Sequence, residues 1–105
     1  MKDTPQETPK ALSPEQISTE LHSLPGWEYD EHSLKKSFEL GDFKEAMSFL
    51  VRLAFHAEAA NHHPEIWNVY NKVKITLTTH DADDRVTQKD VDLAQAIEQF
   101  NWTQA

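Results

Sequence analysis

Residues 66–80 read Ile66-Trp67-Asn68-Val69-Tyr70-Asn71-Lys72-Val73-Lys74-Ile75-Thr76-Leu77-Thr78-Thr79-His80, and this stretch decides the fold. Two strand-like runs, 66–70 and 73–79, flank Asn71-Lys72, which is the pattern of a β-hairpin. Successive side chains of a strand point to opposite faces. One face of the second run carries Val73, Ile75, Leu77 and Thr79. The other face carries Lys74, Thr76, Thr78 and His80.

The turn of this hairpin determines which residues pair. A loop of two or four residues around Asn71-Lys72 pairs Trp67 with Thr76, and the same register places His63 opposite His80. Directly opposed residues have Cβ atoms roughly 5 Å apart. A three-residue loop would shift the register, and Asn-Lys is a weaker hairpin signal than Asn-Gly. Without a bulge, the sequence predicts a His63–His80 pair.

The first forty residues predict a helix followed by a strand pair. Ser13 can cap a helix in which Pro14 takes the first position and Gln16 completes a capping box. Pro25-Gly26 ends that helix. Apolar and polar residues then alternate between 27 and 40, which predicts two strands joined by a turn at 30–33.

A long helix is predicted between the two strand pairs. Asp42 is a plausible N-cap, and apolar residues follow at helical spacing from Phe43 to about Ala60. The chain must leave the helix before Pro64, since proline disfavours helical conformation in the residue that precedes it. Phe55 widens the apolar face, so we expect a partner subunit to cover part of it.

The order of elements indicates the fold class. Thr87 can cap a last helix with Asp90 at its third position, which completes the order α-β-β-α-β-β-α. This order favours an α+β fold: a single domain with a four-stranded antiparallel sheet and helices packed on one face. Residues 1–10 contain two prolines and four charges, so they are expected to form a disordered tail before a domain at 11–105.

Composition excludes several classes of function. The chain has no cysteine, which removes disulfides, thiolate metal sites and a cysteine nucleophile. Its net charge of -8 disfavours direct binding to nucleic acid or to anionic membranes. It has neither an apolar signal-peptide core nor a run of about 20 apolar residues that could span a bilayer. We therefore expect a cytoplasmic protein.

Three histidines are candidates for acid/base chemistry: His62, His63 and His80. The ordinary pKa of histidine, about 6.5, lets it give and take protons near neutrality. Glu58 precedes His62 by four residues, one helical turn, and could fix its tautomer if the helix persists. Asp90 could hold another ring or could serve only as a helix cap.

The same residues leave two other interpretations open. A metal could bind the three histidines and a carboxylate, although no HExxH or other recognised ligand spacing is present. The histidines could also be purely structural. The residues alone do not choose among these interpretations.

Several blocks of the chain resemble the pterin-4a-carbinolamine dehydratases. They are Glu58-x-x-x-His62-His63-Pro64-Glu65, then Trp67-Asn68-Val69-Tyr70-Asn71-Lys72-Val73-x-Ile75-Thr76-Leu77-x-Thr79-His80, and Asp90-x-x-Leu93-Ala94. The resemblance extends over about residues 21–99. Asn61 departs from a position that is often acidic in the family, and the loop 81–86 lacks an expected glycine.

The resemblance implies dehydration of 4a-hydroxytetrahydrobiopterin to quinonoid dihydropterin, a hydro-lyase reaction that needs no metal and no organic cofactor. It implies catalytic roles for His62, His63 and His80, with Glu58 and Asp90 as supporting carboxylates. The residues implied to line the pterin pocket are Asn61, His62, His63, Thr78, Thr79, His80 and Asp81.

The family also implies partners. The reaction would recycle the cofactor of a pterin-dependent aromatic amino-acid hydroxylase, and the protein would be a homodimer or homotetramer. Relatives of this family also act as dimerisation partners of a transcription factor or assist the assembly of other enzymes. A non-catalytic binding or assembly module is therefore the alternative function.

Overall fold

The computed structural model describes residues 9–103. Most of the expected tail, residues 1–8, lies outside the described residues. The elements are α1 (Pro14–Leu21), β1 (Glu28–Asp30), β2 (Ser33–Glu39), α2 (Phe43–Ala60), β3 (Glu65–Val69), β4 (Lys72–Leu77), a 3-10 turn (His80–Ala82) and α3 (Gln88–Phe100). All strand pairs are antiparallel, in the order β1-β2-β4-β3. The predicted α+β fold is confirmed.

The predicted caps begin the helices. Gln16 N donates to Ser13 Oγ at 3.1 Å, and Ser13 N donates to Gln16 Oε1 at 2.8 Å, which is a capping box. Asp42 accepts from the backbone of Glu45 at 2.9 Å. Each bond satisfies a backbone N–H that has no partner within the helix.

One face of the sheet and the three helices enclose the core. The strands contribute Leu34, Phe38, Val73, Ile75 and Leu77, and the helices contribute Ile17, Phe49, Leu53, Val91, Ala94 and Ile97. The predicted apolar face of the second run, residues 73, 75 and 77, is therefore buried as expected. No helix within 9–103 has the length and apolar character needed to cross a membrane.

The predicted register of the second hairpin is wrong. Trp67 pairs with Lys74 rather than Thr76, and the ladder ends at the pair Glu65–Thr76. It stops before His63, while His80 opens the 3-10 turn beyond the end of β4. The predicted pairing of His63 with His80 across the strands therefore does not form.

A different turn causes this shift. The loop is Tyr70-Asn71, with Tyr70 in left-handed conformation at φ 52. Asn71 is fixed to the end of β2, because its Nδ2 donates to Leu40 O at 2.9 Å and its carbonyl accepts from Leu40 N at 2.8 Å. Asn68 Nδ2 donates to the carbonyls of Tyr70 and Lys72 at 3.2 and 2.9 Å. These bonds hold the chain reversal one residue earlier than expected.

Helix α2 carries a second apolar stripe that the core does not cover. Phe43, Val51 and Phe55 are separated by multiples of four residues and so lie along one side of the helix, where Met47 is partly buried against the core. Phe43 is 49% exposed, Val51 57% and Phe55 75%. Strand β3 also exposes Ile66, Trp67 and Val69.

Candidate active site

A cavity of about 260 Å³ lies where three segments meet: the α2–β3 connection, the end of β4 with its 3-10 turn, and the start of α3. It is lined by Asn61, His62, His63, Thr78, Thr79, His80, Asp81 and Lys89. The fold thus brings together all the residues predicted to line a substrate pocket. Their functional roles stay predictions.

The end of α2 determines where the adjacent histidines point. Asn61 is left-handed, at φ 50 and ψ 44. Its N–H donates to Glu58 O at 3.1 Å, and His62 N–H donates to Ala57 O at 3.0 Å. These two bonds are those of a Schellman motif, which satisfies the last carbonyls of a helix and turns the chain. His62 therefore leaves the helix and turns towards the core.

His62 meets Asp90 in the interior. Nε2 of His62 lies 2.6 Å from Asp90 Oδ1, and the two residues are 7% and 0% exposed. A carboxylate accepts hydrogen bonds, so the imidazole carries its proton on Nε2 in this contact. Nδ1 of His62 is then the nitrogen left for exchange with a ligand.

Asp90 serves as helix cap and as histidine partner at once. Its Oδ2 accepts from Thr87 N at 2.8 Å, which completes the predicted capping box of α3. The same oxygen accepts from Thr79 Oγ1 at 2.7 Å. The carboxylate is thus held by two donors besides the imidazole, which offsets the cost of burying it.

Glu58 holds His63 and not His62, so the predicted Glu58–His62 contact is wrong. Nε2 of His63 lies 2.7 Å from Glu58 Oε1, and both side chains are exposed. The prediction assumed a helix that persists to Asn61, whereas Asn61 is left-handed and the turn rotates His62 off the helical face. His63 then comes close to the last turn of α2.

The third imidazole also has a carboxylate partner. His80 Nδ1 lies 3.1 Å from Asp84 Oδ1, with both side chains exposed. Thr79 N donates to Arg85 O at 2.9 Å and closes the loop that carries this pair. Nε2 of His80 is left for a ligand, as Nδ1 is for His63. Within residues 9–103, no group of three or more His, Cys, Asp or Glu residues is arranged to hold a metal ion.

Comparison with known proteins gives the family. The sequence model of the family described as pterin 4 alpha carbinolamine dehydratase matches residues 10–100. The chain belongs to this family. The resemblance recognised in the sequence is confirmed.

Individual members of the pterin-4a-carbinolamine dehydratase family agree over most of the chain. A protein from Opitutus terrae named “Putative pterin-4-alpha-carbinolamine dehydratase” is 49% identical over 94 residues, 90% of this chain and 97% of that one. A protein of the same name from Christiangramia forsetii is 49% identical over 87 residues, 83% and 89% of the two chains. The crystal structure of a transcriptional coactivator/pterin dehydratase from Brucella melitensis has a TM-score of 0.81 and 33% identity, covering 85% of this chain and 96% of that one.

Two residues at this candidate site, Asp84 and Lys89, were missed in the sequence, and the role of a third, Thr87, was recognised only in part. Asp84 follows His80 by four residues, a spacing that could have suggested the contact had the loop been read as a helical turn. Thr87 was recognised only as a cap. Lys89 lines the cavity from the first turn of α3, and no pattern marked it, since an isolated lysine is usually a solvated side chain.

Proposed function

We propose that this protein dehydrates 4a-hydroxytetrahydropterins to quinonoid dihydropterins. The observation that carries the proposal is the buried His62–Asp90 pair at a cavity that His63 and His80 also line. Membership of the dehydratase family supports the same reaction class.

The reaction needs two proton transfers, which the three imidazoles can divide. The C4a–O bond breaks as its hydroxyl takes a proton and leaves as water, while N5 loses its proton and forms a double bond to C4a. Each positioned acid or base typically contributes about 10² to 10⁴ in rate. His62, His63 and His80 each place one nitrogen on a carboxylate, so each exchanges protons through its other nitrogen.

The buried and exposed histidines suit different parts of this work. His62 is fixed between its capping turn and Asp90, so its ring keeps one orientation at the cavity. The exposed rings of His63 and His80 can adjust when substrate enters, as catalytic groups often do between free and bound enzyme. Asn61, Thr78, Thr79 and Asp81 are proposed to line the pterin pocket with them.

A stopped-flow assay with synthetic 4a-hydroxytetrahydropterin tests the proposal. The measured quantity is the enzyme-dependent excess over spontaneous dehydration. We expect His62→Ala and His80→Ala to lower the rate at least tenfold while His22→Ala, an exposed control that follows α1 and lies outside the cavity, leaves it unchanged. We also expect a chelator to have no effect. No excess rate at high protein concentration would contradict the enzyme and favour the binding-module alternative.

We further infer that the protein self-associates as a homodimer or homotetramer in the cytoplasm. The uncovered stripe of α2 and the exposed apolar residues of β3 support this inference, since large apolar patches on soluble proteins usually mark interaction sites. The proposed reaction also requires a source of carbinolamine. A pterin-dependent aromatic amino-acid hydroxylase is the partner activity that would supply it.

A further inference from the structure

Two buried hydroxyls stand behind the Asp90 carboxylate. Thr79 Oγ1 lies 2.7 Å from Asp90 Oδ2 and 2.7 Å from Thr87 Oγ1. Thr79 and Thr87 are 3% and 2% exposed. The backbone N–H of Lys89 donates to Thr87 Oγ1 at 3.2 Å. The hydroxyls therefore lie in an enclosed environment where each hydrogen needs a partner.

The chemistry of these groups fixes the direction of the chain. A carboxylate can only accept, so the one hydroxyl hydrogen of Thr79 must point to Asp90 Oδ2. Thr79 then has no hydrogen left for Thr87, so Thr87 must donate to Thr79. The result is a one-way relay from Thr87 to Thr79 to Asp90 Oδ2, while Nε2–H of His62 donates to Oδ1, the other oxygen of the same carboxylate.

We propose that Thr79 is a positioning residue that acts on His62 through Asp90. Its hydroxyl fixes the rotation of the carboxylate, so that Oδ1 faces His62 and Oδ2 faces the two donors behind it. The carboxylate in turn keeps the His62 proton on Nε2 and leaves Nδ1 free of hydrogen. Partners that orient a histidine in this way commonly matter about 10- to 100-fold for activity in metal sites.

This role differs from a substrate contact, which is the role that the family resemblance implies for Thr79. A substrate contact would act mainly on KM. A positioning residue acts on kcat and on the tautomer of His62, and the tautomer is measurable in the protein without substrate. The effect on kcat rests on the proposed function, whereas the effect on the tautomer does not.

Nitrogen-15 NMR of protein labelled at histidine provides the test, because the two ring nitrogens have different shifts in each tautomer. We expect wild-type His62 to carry its proton on Nε2. Thr79→Val should populate the Nδ1–H tautomer and lower kcat about tenfold with little change in KM. Thr79→Ser keeps the hydroxyl and should restore both properties. Thr76→Val, near the end of β4 and outside the relay, is the control.

The outcomes separate the relay from the reaction. An unchanged His62 tautomer in Thr79→Val would overturn the proposal, and so would a change confined to KM. If the wild type shows no dehydratase activity, the proposed function fails. The His62 tautomer in Thr79→Val then still decides whether Thr79 positions His62. Thr79→Ala gives the same reading should Thr79→Val not fold.

Discussion

At the residue scale, Asp90 joins the stability of the fold to the candidate chemistry. It is wholly buried, and it accepts hydrogen bonds from a backbone amide, a hydroxyl and an imidazole. A buried carboxylate is tolerated only when such donors satisfy it. The same bonds that begin α3 therefore also orient His62.

Replacing Asp90 tests both roles together. In Asp90→Asn the amide group brings hydrogens towards donors that need acceptors, so at least one buried contact is lost. We expect the free energy of unfolding to fall by about 1–3 kcal/mol, measured by urea denaturation, together with a loss of dehydratase rate. Asp92→Asn, on the exposed side of the same helix, should change neither. Wild-type stability in Asp90→Asn would contradict the hydrogen-bond network.

Asn61 is held in a backbone conformation that suits few residues. Left-handed conformation costs most L-residues roughly 1–2 kcal/mol, whereas glycine adopts it freely and asparagine with less strain. We expect Asn61→Ala to be destabilised by about 1 kcal/mol and Asn61→Gly to be as stable as wild type or more so. Thermal unfolding measures both.

A glycine inside the helix provides the matched control. Ala59→Gly should destabilise the protein by about 0.5–1 kcal/mol, because glycine lowers helix stability. Ala59→Gly is thus expected to lose stability and Asn61→Gly is not, although the two positions lie two residues apart. Equal losses of stability in both variants would show that the left-handed Schellman turn does not determine the effect of glycine at position 61.

These residues also show which features of the candidate site could be predicted from the sequence. The three histidines and two of the carboxylates at the candidate site, Glu58 and Asp90, were identified by residue type and by the family motif, whereas Asp84 was not. The partner of each carboxylate was harder to predict, because the four-residue spacing of Glu58 and His62 brings their side chains together only if the helix continues. An asparagine directly before His62-His63-Pro64 is itself a helix-ending signal, and it would have argued against a helical Glu58–His62 contact.

At the element scale, the β3–β4 hairpin shows a limit of local pattern. Strand periodicity correctly identified the buried face, which a two-residue shift in register preserves. The register depends on Asn71, whose partner Leu40 lies 31 residues earlier in the chain. Turn propensities depend on neighbouring residues and do not reflect that contact, so the sequence of 66–80 alone could not locate the turn.

Asn71→Ala tests this anchor. The variant loses the side-chain bond to Leu40 O but keeps the backbone bond from Leu40 N, so the hairpin should form with lower stability. We expect a loss of about 0.5–1.5 kcal/mol in the free energy of unfolding. Lys72→Ala, an exposed neighbour in β4, is the control. Stability within error of wild type would mean that the anchor does not hold the turn.

At the scale of the whole molecule, the position of the cavity follows from the topology. The Schellman turn after α2, the end of the inner strand β4 and the capped start of α3 meet at one end of the sheet. Each segment supplies part of the histidine and carboxylate set. The order of elements predicted this fold. The contact between the ends of α2 and β4 and the start of α3 depends instead on side-chain bonds such as His62–Asp90.

The uncovered stripe of α2 predicts how the molecule assembles. Phe55 is 75% exposed, so Phe55→Glu should leave the folded monomer intact while placing a charge in any interface that covers it. Burying a phenylalanine contributes about 1.5–3 kcal/mol, so each copy that loses it should weaken association roughly tenfold or more. Light scattering after size-exclusion chromatography should show a concentration-dependent shift to smaller species. Ser18→Glu, exposed on α1, should retain the wild-type mass. A wild-type protein that is monomeric at every concentration, or a Phe55→Glu variant of unchanged mass, would contradict assembly through α2.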